Sequence, residues 1–235
     1  MGCNQILAVL PPVVQEHLAP WFKPVELITG ALIHADGDRI ESVLFVDSGM
    51  VSLVLAPDGD AAAEVGIVGN EGMVGLGGMF DGVSKVEAVV QIAGTGRRLP
   101  TERLRSAMAA FPAFADLMHR YLFLRLLQTE VGMACNALHS VEQRAARWLL
   151  MTVDRVGASF SLKQDFLAQM LGVRRASISG VANSMQKAGL IRYRRGAMTV
   201  TDLAGLEALA CGCRNRAVAA HRRLLGPAPL VCAPA

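Results

Sequence analysis

Residues 164–181 read Gln-Asp-Phe-Leu-Ala-Gln-Met-Leu-Gly-Val-Arg-Arg-Ala-Ser-Ile-Ser-Gly-Val, an order that leaves little freedom in how they fold. Ala168 is small where a second helix has to cross, and Gly172 can take the left-handed conformation that a tight turn between two helices requires. Leu167, Leu171, Val173, Ile178 and Val181 supply apolar contacts that hold the two helices at a fixed angle. The spacing predicts a helix-turn-helix. An ordinary helical hairpin is the competing reading, but a second, independent feature follows. Lys187 to Thr201 reads as strand, tight turn at Arg195-Gly196 and strand, and a helix-turn-helix with a basic hairpin after it is a winged helix.

Charge supports this placement. The net charge of +3 conceals a cancellation: residues 1–110 hold 7 Lys and Arg against 13 Asp and Glu, a balance of −6, and residues 111–235 hold 16 against 7, a balance of +9. Residues 156–225 alone carry 11 basic against 3 acidic side chains, clustered at the start of the second helix and in the hairpin. A solvated basic face does not require that clustering, whereas a surface that neutralises phosphates does.

The hydrophobic fraction of 52% with 18% charged residues excludes disorder and fits a soluble globular chain. No stretch free of Asp, Glu, Lys and Arg reaches the ~18 to 20 residues of a transmembrane helix. The N-terminus carries no basic residue before Lys23, so no signal peptide is expected, and Ile6 stands where a myristoylation signal at Met1-Gly2 wants Ser or Thr. A cytoplasmic protein with no membrane partner is expected. The five cysteines (Cys3, Cys135, Cys211, Cys213, Cys232) are odd in number and scattered, which fits a reducing compartment rather than a disulfide framework.

From about residue 25 to 100, short Val-, Ile- and Gly-rich runs are separated by turn signals at Asp36-Gly37, Ser48-Gly49, Pro57-Asp58-Gly59-Asp60, Asp81-Gly82 and Gly94-Thr95-Gly96. This pattern predicts an antiparallel sandwich or barrel, with Val43 to Val46 and Met50 to Leu55 as strands and Gly66 to Gly78 as loop with one helical turn. From Pro112 to about Cys135 the pattern is helical, and its apolar positions cover more than one face, so a second copy of the helix is a candidate burial partner. After a break near residues 136–140, Ser140 and Gln143 form a capping box for a further helix that Gly157 stops.

Together these residues resemble the Crp/Fnr family of bacterial transcription regulators over about residues 20 to 225. The likeness is strongest in Arg147-Trp148-Leu149-Leu150, the helix-turn-helix and Gly189-Leu190-Ile191, and extends to Gly37-Asp38 and Ser48-Gly49-Met50-Val51. The resemblance implies an α+β chain: an N-terminal antiparallel β-roll sensor like a cyclic-nucleotide-binding domain (1–110), a long dimerisation helix and hinge (111–138), a winged helix-turn-helix (139–225) and a tail (226–235). It implies a homodimer, joined through the helix at 112–135, on a two-fold symmetric operator in double-stranded DNA, with RNA polymerase as a further partner. Carried over position by position, Arg175 falls where an Arg reads guanine, Arg174 and Ser177 at phosphate-contacting positions, and Ser179 facing the groove, with Arg194 and Arg195 on the wing. Ala176 and Gly180 replace a Glu and an Arg that family members use for base readout, so their operator sequence does not transfer.

The sensor departs further. Cyclic-AMP-binding members hold the phosphate and ribose with a Gly-Glu pair and an Arg-Ser/Thr-Ala run. The corresponding stretches here are Gly69 to Gly75 and Ser84-Lys85-Val86-Glu87-Ala88, with Val86 at the Arg position and Glu87 at the hydroxyl position. A carboxylate facing a phosphodiester is repulsive, so cyclic AMP is not the expected effector. The effector is unknown, and Gly72, Met73, Val74, Lys85, Val86 and Glu87 are the candidate pocket. An iron-sulfur cluster of the family type is not expected, because only Cys3 lies at the N-terminus. Haem and a cyclic nucleotide stay open as cofactors, with His17 or His34 as an axial ligand for haem. Cys135 and His139, spaced i and i+4, read as a buried thiol beside a hinge histidine, and Cys211 and Cys213 as neighbours on one terminal helix pointing to different sides; no metal site is expected. Nothing orders a catalytic triad or pairs carboxylates as an enzyme would. The alternative reading is a cyclic-nucleotide or small-ligand module that acts by protein docking, which would not require the arginines of the recognition helix and wing.

Overall fold

The structure is a computed structural model that describes residues 4–57 and 62–226. Met1-Gly2, Cys3 and Cys232 lie outside the described residues, as do most of the turn at Pro57 to Asp60 and of the tail at 226–235.

Two short helices, α1 (Gln5–Ala8) and α2 (Pro12–Leu18), precede eight strands: β1 (Lys23–Leu27), β2 (Leu32–His34), β3 (Ser42–Val46), β4 (Met50–Leu55), β5 (Ala63–Val68), β6 (Met73–Val74), β7 (Glu87–Ile92) and β8 (Gly94–Pro100). They form two four-stranded antiparallel sheets, ordered β1-β8-β3-β6 and β2-β7-β4-β5. Leu27, Leu44, Val46, Val51, Val68, Val74 and Val90 fill the interior of this roll. The strands expected at 43–46 and 50–55 are β3 and β4. The segment 66–78 is more regular than a loop: β5 runs to Val68, β6 pairs with β3, and the single helical turn is at Leu76–Met79.

Helices α3 (Thr101–Ala110), α4 (Pro112–Leu138) and α5 (Val141–Val156) follow. Beyond them come β9 (Ser159–Ser161), α6 (Gln164–Met170), α7 (Arg175–Lys187), β10 (Ile191–Arg194), β11 (Ala197–Val200), α8 (Leu203–Leu209) and α9 (Cys213–Leu225). The 27 residues of α4 give it a length of about 40 Å. One face, with Phe114, Leu117, Met118, Tyr121 and Leu124, joins the core formed by α1, α2, β3 and α3. α9 packs along α4 as well, placing Leu225 in the same core. Phe123, Leu126 and Met133 stay exposed at heptad spacing. The break between α4 and α5 is short, and Ser140 with Gln143 makes the reciprocal capping box there.

The two halves share one core. Met50 and Ile67 of the roll pack with Trp148 and Leu149 of α5 and with the winged helix behind them. Two polar contacts register this docking. Arg155 of α5 donates to Glu71 Oε1 through Nε at 3.1 Å and Nη2 at 2.6 Å, with both side chains almost wholly buried. Burial alone would raise the Glu71 carboxyl, but the Arg155 charge and hydrogen bonds outweigh it and hold the group low. Trp148 Nε1 donates to Glu64 Oε1 at 2.8 Å, and Ser52 Oγ donates to Glu64 Oε2 at 2.7 Å. Here burial wins over those hydrogen bonds and over the Arg147 and Arg155 charges, and the Glu64 carboxyl is pushed up to about 7.

A raised carboxyl pKa favours the protonated folded state. The contribution of Glu64 is therefore fully present at acid pH and lost as pH rises through about 7. Wild-type protein should lose Tm between pH 5 and pH 8 relative to Glu64→Gln, with an upper limit of about 3 kcal/mol on the stability difference. Parallel Tm–pH profiles for the two proteins would refute this role.

Candidate nucleic-acid interface

The helix-turn-helix forms as its sequence requires. Gly172 adopts φ +62° in the turn, and Val173 N–H bonds back to the Ala168 carbonyl at 3.0 Å. Ile178, Ala182 and Met185 on one side of α7 are buried against Leu167, Leu171 and α5. The opposite side points outward, with Arg174, Arg175, Ala176, Ser177 and Gly180 all exposed. Arg174 is the residue before the first turn of α7, whose N–H groups carry no side-chain cap. Such a turn accepts a phosphate. Arg175 Nε lies 3.0 Å from Asp165 Oδ1 of α6, an exposed pair that presets the guanidinium at little energetic cost. Ser179 differs from its expected orientation into the groove: it is half-buried, and its hydroxyl donates to Gln164 Oε1 at 2.8 Å, bracing α6 against α7.

The wing is β10 and β11 with β9 added along its far edge. Met198 and Val200 anchor it to the core, while Arg192, Arg194 and Arg195 are exposed. Its tip holds Arg195 at φ +51° and Gly196 at φ +83°, the two positive values that a two-residue type I′ turn demands. For an arginine that conformation is strained by roughly 1 kcal/mol.

A second feature lies between the roll and α4: a cavity of about 640 Å³, lined chiefly by apolar groups together with Arg125, Lys85 and His34. Of the expected pocket residues, Met73, Val74, Lys85 and Val86 line it. Gly72 is not in the wall, because the Tyr121 hydroxyl packs against its Cα while bonding Met73 N and O, both at 2.8 Å. Glu87 is not in the wall either; it starts β7, exposed and opposite Val54. Lys85 pairs with Asp81 at 3.3 Å on the surface. Sequence reasoning missed Arg125, which is buried in α4 and donates to the Ile67 carbonyl at 2.8 Å and to Gln128 at 2.7 Å.

A third grouping corrects the reading of the cysteines. Cys211 and Cys213 do not share a helix: the chain breaks after α8, Gly212 precedes α9, and both thiols turn toward the end of α4. There Cys135 Sγ lies 3.5 Å from Cys211 Sγ, and His139 Nδ1 lies 3.7 Å from Cys213 Sγ. The spacing of Cys135 and His139 hinted at half of this cluster; the other half comes from 72 residues further along the chain, where no local pattern reveals it.

Residues 143–209 match the family model of the Crp-like helix-turn-helix domain. The chain carries a Crp-like helix-turn-helix domain, the DNA-binding module of a regulator. Over 196 residues it is 26% identical to the CRP-like cAMP-activated global transcriptional regulator of Mycobacterium tuberculosis, covering 79% of this chain and 87% of that protein. Among solved structures, a transcriptional regulator of the Crp/Fnr family from Eubacterium rectale superposes with a TM-score of 0.69 at 19% identity, covering 87% of this regulator and 96% of the other chain. The c-di-GMP-responsive global regulator CLP of Xanthomonas campestris superposes at 0.67 with 21% identity, over 82% of this chain and all of its own. Among the described residues, no helix of the regulator is long and apolar enough to cross a membrane.

The wing makes a prediction independent of operator sequence. Arg195→Gly should leave folding stability unchanged or raise it by roughly 1 kcal/mol while weakening binding to all DNA sequences alike and lowering the salt slope by about 1. Thermal melting and salt-dependent anisotropy titrations check the two halves of this outcome.

Proposed function

We propose that this regulator acts as a homodimer on a two-fold symmetric operator, with α7 of each protomer in a major groove and the wing on the flanking backbone. The observation that carries the reading is the outward face of α7: Arg174, Arg175 and Ser177 are exposed on a helix whose other side is locked into the core. Arg175 would read guanine, while Arg174, Ser177, Arg194 and Arg195 would hold phosphates. Ser179 serves this interface by fixing α6. The units that follow are a sensor roll, the α4 dimerisation helix and a winged helix.

The dimer seam in this reading is Phe123, Leu126 and Met133 on α4, with Glu130 and Ala137 completing the heptad register. Leu126 also lines the cavity, so a partner helix would close it from that side. The cavity is the effector site of this proposal. Its relatives respond to cyclic AMP and to c-di-GMP, two different ligands, so the fold does not carry the effector across. The wall here is mostly apolar, its lysine is paired outside, and Arg125 already holds a carbonyl and an amide. These features favour an effector with a large apolar body over a cyclic phosphodiester. RNA polymerase is the partner through which such a dimer would act.

In a binding selection, Arg175→Ala should flatten preference at one base pair per half-site, a loss of about 1 to 3 kcal/mol of discrimination, and an unaltered consensus would reject its role as base reader. Leu126→Glu should convert the dimer to monomer in light scattering and abolish binding to the symmetric site, with the circular dichroism spectrum retained. A dimeric Leu126→Glu protein would place the interface elsewhere.

A further inference from the structure

We propose that Cys135, His139, Cys211 and Cys213 bind a single divalent zinc ion that fastens the C-terminal end of α4 to the turn between α8 and α9.

The four candidate ligand atoms all lie within 4.8 Å of one another. Around one tetrahedral zinc, with bonds of ~2.3 Å to sulfur and ~2.0 Å to nitrogen, neighbouring ligand atoms stand about 3.5 to 3.8 Å apart. The pairs Cys135–Cys211 at 3.5 Å and Cys213–His139 at 3.7 Å already have that spacing. A polynuclear iron-sulfur cluster would hold its thiolates farther apart, and a Cys135–Cys211 disulfide would leave Cys213 and His139 grouped for no reason. Three sulfurs and an imidazole are the donor set of a closed structural zinc site.

The surroundings fit the charge of such a site. Three thiolates and one imidazole around a divalent ion carry a net −1. Arg144 and Arg147 of α5 lie within electrostatic reach of Cys135, and each keeps a buried Nε–H without a hydrogen-bond partner. Two guanidinium groups beside a site of net −1 complement its charge, as outer-shell groups around a metal commonly do. All three cysteines are buried, and Val131 packs over them. On binding, three Zn–S bonds form and the three thiol protons pass to the buffer, with no change of oxidation state.

The consequence is mechanical. Cys135 and His139 sit one turn apart at the last turn of α4, immediately before the Ser140 cap that starts α5. Cys211 lies in the turn after α8, and Cys213 begins α9, the helix that packs back along α4. The ion would therefore fix the hinge between α4 and α5 and the docking of α9 in one step.

The test is metal analysis of the full chain, purified without chelator and separately refilled with zinc or cobalt ions alone. The expected result is about one zinc per chain and, for cobalt, thiolate charge-transfer bands with the intense ligand-field absorption of a tetrahedral site. Cys211→Ser and Cys213→Ser should each lose the bands and most of the metal. Should those variants fail to fold, the wild-type protein still decides: zinc should protect three thiols from alkylation, and a strong chelator should expose them and lower Tm. A chain that stays metal-free after refilling, cobalt spectra without thiolate bands, or a Cys135–Cys211 disulfide in protein kept under reductant would each overturn the proposal.

Discussion

The Glu71–Arg155 pair sets how the two halves of this regulator meet. Glu71 lies in the turn between β5 and β6 and Arg155 in the last turn of α5, so the contact spans the junction between the roll and the winged helix. An ion pair this deeply buried contributes little net stability, because desolvating both charges offsets most of their attraction. Its effect is on geometry. Arg155 also donates to Met151 O at 2.6 Å and Glu71 accepts from Gly69 N, so neither group can shift without leaving a charge buried and unpaired. The apolar contacts around Trp148 would tolerate sliding; the pair permits one register. Glu64 differs because its partners are a tryptophan and a serine rather than a bonded cation, and its charge is therefore conditional on pH.

Most of the winged helix was legible because its determinants are local. Gly172 and Gly196 occupy positions where φ is positive, Ser140 and Gln143 lie three residues apart, and the apolar spacing of Leu167, Leu171 and Ile178 maps directly onto the core. The roll was legible in its class and in β3 and β4. It was less so at 66–78, where glycines that suggest a loop instead allow close packing: a side chain at Gly66 would collide with the Arg125 guanidinium, and one at Gly72 with Tyr121. A one-dimensional reading sees the flexibility of glycine and not the atom that fills its missing Cβ.

The pocket and the cysteine cluster were less legible because each is made by elements distant in sequence. Val86 and Lys85 were placed in the pocket by correspondence with a family run, and the cavity includes them. Glu87 follows them directly but alternates to the other face of β7, as strand geometry requires. Arg125 escaped notice because a charged residue in an apolar helix pattern reads as its solvent side, whereas here it is buried under β5. Cys211 and Cys213, two residues apart, suggest one helix only if the chain continues through Gly212, and it does not. Cys211 lies in the turn that ends α8 and Cys213 starts α9, and Gly212 between them is a weaker sequence signal for that break than a proline would be.

These contacts make α4 the common element of the cavity, the exposed Phe123–Leu126–Met133 stripe and the cysteine cluster. Its N-terminal half carries Tyr121 and Arg125 into the roll, its middle lines the cavity with Leu122, Leu126 and Thr129, and its last turn holds Cys135 beside Cys211. A ligand in the cavity can alter the regulator only through a difference in affinity between two arrangements of such an element. Rotation of α4 about its axis is the motion that would change the cavity wall and the Phe123–Leu126–Met133 stripe together. The Cys135–His139 end would resist that rotation if its side chains are tied to α9, so movement would be delivered to the winged helix as a rigid displacement of α5 and α9 together and not be absorbed by a flexible hinge. The Glu71–Arg155 pair would oppose the same displacement from the roll side, because drawing α5 away from the roll would leave both charges buried and unpaired.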